Sequence, residues 1–284
     1  MFKQVSIWKG LRISALIIVL LVLFAFITGP VFSKDKVDQE VEAVQKMIEA
    51  KGYHWTAGRT SVAELSLEEQ EHLLGLKVPD WYDDWYKNAK KLMAPLDVRF
   101  PSTFDWRALG GVTPVKDQRS CGSCWAFGAL GALESMAKIY GGRELDLSEQ
   151  QILSCISYGW GCNGGWMDDA YELFRDFGSV GEECMPYHVT DTDPCIQSSC
   201  ELLAKISGWV PVDDNVNAIK NALMTGPVCC AMTVYHDFNY YAGGCYEHDG
   251  SDGTNHAVLI VGWDDNMCDG VGAWIVINSW GPGC

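Results

Sequence analysis

Gln118-Arg119-Ser120-Cys121-Gly122-Ser123-Cys124-Trp125-Ala126-Phe127 decides how this chain is read. It places Cys124 where an apolar helix begins, with Gln118 six residues upstream. The run from Trp125 to Tyr140 is apolar and rich in small residues, and Gly141-Gly142 supplies a helix stop. A helix N-terminus favours negative charge, and the thiolate is the reactive form of cysteine. Cys124 is therefore expected at the positive end of a buried helix. A lone cysteine in such a place is usually packing, so the chemistry depends on partners elsewhere in the chain.

Those partners lie far downstream. His256 follows Cys124 by 132 residues, in Asn255-His256-Ala257-Val258-Leu259-Ile260-Val261-Gly262-Trp263, at the mouth of an apolar strand. Asn278 follows it by 154 residues, in Ile277-Asn278-Ser279-Trp280-Gly281. Acyl transfer by a thiol needs a thiolate, a base, a group that orients the base, and donors for the oxyanion. Cys124, His256, Asn278 and Gln118 are one candidate for each. The Cys-Gly-Ser-Cys-Trp pattern, with histidine and asparagine at these separations, resembles the papain-like cysteine peptidase family over residues 99–284. The resemblance implies an ion pair between Cys124 and His256. It implies that Asn278 holds the imidazole, that Trp280 shields that contact, and that Gln118 and the Cys124 N–H form the oxyanion hole. It implies no cofactor and no metal.

Cys121-Gly122-Ser123-Cys124 is also a C-x-x-C pattern, which elsewhere marks a redox pair or half of a zinc site. The preceding segment lacks the strand–helix–strand context of a thioredoxin fold, and the other cysteines are wrongly spaced for zinc. The family resemblance implies disulfides Cys121–Cys162 and Cys155–Cys195. Cys184–Cys200 and Cys245–Cys268 are guesses beyond it. Cys229 and Cys230 cannot both face one partner on a strand. The same resemblance makes Gly164 and Gly165 an exposed backbone edge for an extended peptide. It makes Trp166, Met167, Ala231 and Thr254 the walls of a pocket for a bulky apolar side chain second from the cut bond. No insertion with paired histidines follows Tyr187-His188, so an endopeptidase is expected.

Around this domain the chain divides by character. Ile13 to Ile27 is an uncharged apolar run behind Lys3, Lys9 and Arg12, short for a membrane span, so residues 1–33 read as a signal peptide or a membrane anchor. Residues 34–100 are polar and helical in pattern, with Val37, Val41, Val44 and Ile48 at helical spacing and Ser66-Leu67-Glu68-Glu69 as a capping box. Trp81 with Trp85, and Tyr82 with Tyr86, make a one-sided aromatic face that needs a partner surface. Between an export signal and a peptidase-like region, this segment reads as an inhibitory propeptide lying in the cleft. Tyr53-His54-Trp55-Thr56-Ala57-Gly58 resembles the propeptides of prokaryotic-type members.

Residues 101–284 hold every one of the 12 cysteines and carry eight basic against 24 acidic residues, so a charge equal to the whole chain's net −16 sits here. Cysteine density points to an oxidising, extracellular compartment, and the acidity excludes nucleic acid as a partner. A membrane is a partner only if the N-terminal segment stays uncleaved. Helical patterns come first, and from about Val210 short apolar strands follow over Val228–Val234, Ala257–Trp263 and Ala273–Asn278. Helices followed by antiparallel strands describe an α+β protein, and the resemblance implies the papain-like two-lobe fold, with a helical lobe and a barrel-like lobe. The family continues past Asn-Ser-Trp-Gly with a further strand, so a C-terminal strand region is expected to be missing at Cys284. The expectation is a secreted cysteine endopeptidase made as a zymogen and acting on proteins or peptides. A non-catalytic homologue of the same fold, acting as a secreted binding or structural protein, is the alternative.

Overall fold

A computed structural model describes residues 34–95 and 98–282. The signal or anchor expected over residues 1–33 and Cys284 lie outside the described residues. Among the described residues, no helix is long and apolar enough to cross a membrane.

The N-terminal segment opens with α1 (Lys34–Lys51). Val37, Val44 and Ile48 recur on one face and are buried there with Trp55 and Tyr240. Gly52, at φ +68°, lets the chain turn out of the helix. Strand β1 (Trp55–Ala57) pairs antiparallel with the distant β6 (Tyr241–Gly244). Helix α2 (Leu67–His72) starts with a reciprocal box, Ser66 accepting from the Glu69 amide and Glu69 accepting from the Ser66 amide. Helix α3 (Tyr82–Asn88) carries the aromatic face; its Tyr82 ring meets Trp166 edge-on at 4.5 Å.

The rest of the chain is built around α4 (Cys124–Gly141), which ends at a left-handed Gly142. On one side α4 packs on α5 (Glu149–Cys155) and α6 (Met167–Asp176), in a core that holds Leu130, Leu147, Ile152 and Phe174. On the other it packs on β5 (Val228–Met232) and β7 (His256–Asp264). Strand β7 is the centre of an antiparallel sheet. Strand β8 (Ala273–Ile277) pairs along residues 259–264, β5 along 256–260 and β2 (Thr103–Asp105) along 262–264. A small pair, β3 (Ser179–Val180) and β4 (Leu202–Ala204), closes the helical side. The arrangement is the expected α+β fold in two lobes.

One part of the strand region departs from expectation. Residues Val216–Leu223 form helix α7, capped by the Asn215 side chain on the Ala218 amide. Ala218, Ala222 and Leu223 are buried at helical spacing, a pattern too short to stand out from the apolar strands after it.

Cys121–Cys162, Cys155–Cys195, Cys184–Cys200 and Cys245–Cys268 are all bonded. Among the described residues, Cys124, Cys229 and Cys230 are free. Cys229 and Cys230 face opposite sides of β5: Cys229 packs toward Gly128 of α4, and Cys230 lies among Leu223, Ile260 and Trp263.

Candidate active site

Four elements converge on one groove between the lobes. Cys124 is the first residue of α4, His256 the first of β7, Asn278 follows β8, and Gln118 lies on the approach to α4. The Nε2–H of His256 donates to Asn278 Oδ1 at 2.8 Å, and the Ser279 amide donates to the same oxygen at 2.8 Å. That pair of bonds fixes the asparagine, and the asparagine fixes the ring. Trp280 lies over His256 with centroids 4.9 Å apart. The backbone amides of Ala257, Gly75, Trp125 and Cys124 all face the Cys124 sulfur. The Nδ1 atom of His256 is buried and makes no hydrogen bond among the described residues.

Gln118 is held from several sides. Ser279 Oγ donates to Gln118 Oε1 at 2.6 Å, which turns the amide so that Nε2 faces the groove. Tyr187 OH donates to the Gln118 carbonyl at 2.7 Å and lies 2.9 Å from Ser123 Oγ, so one phenol ties the glutamine strand to the start of α4.

The groove is filled by the N-terminal segment. Gln118 Nε2 donates to the Leu73 carbonyl at 3.0 Å, as well as to Cys121 O at 2.9 Å. Gly165 N–H donates to Gly75 O at 2.9 Å, and Lys77 N–H to Gly165 O at 3.0 Å, a parallel bridge centred on Leu76 and Gly165. Leu76 N–H reaches Asn255 O at 3.1 Å. Gly75 lies so close to Gly122 that a Cβ on it would overlap the Gly122 carbonyl. Leu76 is buried in one cluster with Trp166 and Met167, and Ala231 packs against that cluster. Three of the expected pocket residues thus belong to the same apolar packing as Leu76. Thr254, in the loop before Asn255, is exposed.

Cys124 and His256 are both fully buried beneath this segment. Burial pushes the Cys124 thiol up to about 11, against the amides that favour its thiolate. Burial lowers His256 to about 4, although Asn278 and the nearby Leu73 backbone favour the charged ring. Both shifts favour the neutral pair while the groove is covered.

Sequence reasoning missed the Leu73 carbonyl, because a backbone oxygen leaves no side-chain signal. It also missed a partly buried cluster in which Lys116 Nζ lies 2.9 Å from Glu134 and 3.1 Å from Glu149, both buried, and 2.8 Å from the exposed Asp146. The mixed charges of those residues were legible, but not their meeting. Among the described residues no group of side chains could hold a metal ion.

Residues 100–284 match the family described as "Papain family cysteine protease". A cathepsin L-like peptidase from Aedes aegypti is 42% identical over 195 residues, covering 66% of this chain and 57% of the relative. Cathepsin K from Gallus gallus is 38% identical, covering 72% and 58%. The chain spans a little over half the length of these relatives. Among solved structures, digestive procathepsin L2 from Tenebrio molitor larval midgut superposes with a TM-score of 0.79 at 30% identity, covering 94% of this chain and 90% of that one. A recombinant stem bromelain precursor gives 0.72 at 27% identity, covering 94% and 88%. These relatives are animal and plant proteins, so the prokaryotic-type likeness drawn from Tyr53–Gly58 is not supported, nor is the expected loss of a C-terminal strand region. The chain belongs to the papain family of cysteine proteases.

Proposed function

We propose that this chain is the zymogen of a secreted cysteine endopeptidase. Residues 34–100 are its inhibitory propeptide, and the mature enzyme starts near Pro101. The observation that carries this reading is the Leu73 carbonyl seated on Gln118 Nε2 at 3.0 Å, over the start of α4 and beside the imidazole. A carbonyl in that seat is where a scissile carbonyl would be polarised.

In the processed enzyme, water reaches the groove and Cys124 passes its proton to His256. The thiolate attacks the substrate carbonyl, and Gln118 Nε2 with the Cys124 N–H holds the oxyanion. His256 protonates the leaving amine as the C–N bond breaks. A water, deprotonated by the same ring, then splits the thioester and frees Cys124. Asn278 keeps the ring in register through both steps, and Trp280 keeps solvent from their bond. Gly164 and Gly165 pair with the substrate backbone, while Trp166, Met167 and Ala231 take an apolar side chain where Leu76 now sits.

A peptidyl epoxide that traps thiolates tests the reading. The processed chain should take one equivalent at Cys124, and the unprocessed chain far less. Cys124→Ser should lose both labelling and peptide turnover. Gln118→Ala should lower kcat by about 10²–10³-fold, as for loss of one oxyanion donor. Labelling without turnover would instead point to the non-catalytic homologue.

A further inference from the structure

Beyond the Leu76 seat lies a second recess that the reaction does not use. Its volume is about 390 Å³, near the low end of ligand-sized cavities, ~300–1,000 Å³. Tyr158, Trp160 and Trp209 wall it, Asp168, Asp169 and Glu172 line it from the first turns of α6, and Trp81, the residue before α3, and Trp85 of α3 cover it. It shares a boundary with the Leu76 seat, since Trp166 precedes α6 and its indole lies near Asp168.

The carboxylates are poorly compensated. Asp168, Asp169 and Glu172 lie on neighbouring positions of one helix face, where like charges repel. Asp169 accepts from Trp160 Nε1 at 2.6 Å, and Glu172 from Tyr158 OH at 3.2 Å; both donors are neutral. Asp168 Oδ2 is buried and makes no close hydrogen bond among the described residues; the indole N–H groups of Trp166 and Trp209 face its carboxyl and favour the charged form, but both donors are neutral. Burial pushes the Asp168 carboxyl up to about 6. Arg175 stands at the rim, 3.9 Å from Glu172 and 5.4 Å from the Trp209 ring, but its close partner is Asp176 at 2.7 Å. Ring faces beside three carboxylates that share one guanidinium, at the rim, are surroundings that hold a further ammonium or guanidinium group.

We propose that this recess selects a lysine or arginine side chain of the substrate, one or two residues farther from the cut bond than the apolar residue in the Leu76 seat. The proposal rests on the peptidase reading above. The direction follows from the covering segment: its Gly75 amide faces the Cys124 sulfur, Leu76 fills the apolar seat, and the chain then runs away from the sulfur to Trp81. In the zymogen α3 lays neutral indoles over the recess. Once it leaves, carboxylates and ring faces open to the same groove that carries the substrate.

The full chain, expressed and then processed, tests this with peptides that hold leucine second from the cut bond. Lysine, arginine or norleucine is placed at the third and fourth positions. The basic peptides should gain about 10-fold in kcat/KM over norleucine, the scale of one desolvated cation–π contact with a charge partner. The Asp168→Asn/Asp169→Asn variant should bring that ratio close to one. Raising the ionic strength should shrink the advantage in the unaltered enzyme, a readout that stands even if the variant does not fold. A ratio near one in the unaltered enzyme overturns the inference and leaves the peptidase reading standing. A basic preference indifferent to both salt and the double substitution assigns it elsewhere and also overturns it. A processed chain that cuts no peptide sinks the peptidase reading and the inference together.

Discussion

The N-terminal segment holds the rest of the molecule at two places, and the two differ in what they add to backbone pairing. The outer one, α1 with β1, adds an apolar face and ion pairs to the β1–β6 ladder. Val37, Val44, Ile48 and Trp55 are buried against Tyr240, His54 lies 2.7 Å from Glu247 and 3.1 Å from Asp269, and Lys51 lies 3.0 Å from Asp249. The inner one, residues 73–77, is bonded through the carbonyls of Leu73 and Gly75 and the amides of Leu76 and Lys77, and it buries two side chains, Leu73 and Leu76. A backbone hydrogen bond adds a net ~0.5–1.5 kcal/mol, whereas an apolar side chain brings ~1.5–3 kcal/mol on full burial. The outer place buries Val37, Val44, Ile48 and Trp55 against only Leu73 and Leu76 at the inner one, so more of the grip lies outside the cleft, and occlusion lies inside it. Sequence shows the apolar residues of both places but not their backbone bonds, whose atoms are common to every residue.

The largest expected break in this comparison comes from Trp55→Ala. Truncating a fully buried indole costs about 3–5 kcal/mol, and Trp55 is 2% exposed with Tyr246 at 5.1 Å. The denaturation midpoint of the full chain, followed by circular dichroism, should fall accordingly. An unchanged midpoint would mean that the outer site grips no better than the inner one.

Gly75→Ala should do the reverse. The added methyl overlaps the Gly122 carbonyl, and overpacking of this kind costs about 1–3 kcal/mol, enough to raise an open population roughly 10-fold. Epoxide labelling of Cys124 in the unprocessed chain should quicken by about that factor, while the midpoint moves less than in Trp55→Ala.

Acid should act on the two places with opposite sign. His256 is buried neutral with its pKa lowered to about 4, so its contribution is present above the ordinary histidine value and is lost as pH falls from about 6.5 toward 4. The full chain should lose stability over that window, and His256→Gln should lose less. His54 is raised, first by its bond to Glu247 and then by Asp269, so its contribution is present below the ordinary value and is lost as pH rises through the raised one. The gap in denaturation midpoint between the unaltered chain and His54→Gln should be open at pH 5 and closed by pH 8, and it should be the smallest of these effects because the pair is partly exposed. A gap that widens with pH would reverse the sign assigned to His54.

Much of the site was legible because its residues sit in long, distinctive neighbourhoods. Gln118 and Cys124 fall within one stretch of ten, and His256 and Asn278 each border a strand that reads as one. The Ser66 and Ser148 caps were equally plain, since a hydroxyl before a helix has a local job. The pairing of β1 with β6 was not legible: each strand is three or four residues long, and the partners lie nearly the whole domain apart. Thr254 enters the expected pocket by likeness of position alone, since its exposed loop follows no periodic pattern.

The contact between Gly75 and Gly122 has a consequence for how the segment is threaded. Sliding it by one residue in either direction would bring Leu74 or Leu76 to a spot with no space for even a methyl. The two glycines thus work as an index mark, so that the carbonyl presented to Gln118 is always that of Leu73. Length changes between the outer strand and the cleft would have to bulge into the 58–66 turn, leaving the blocked position itself unshifted.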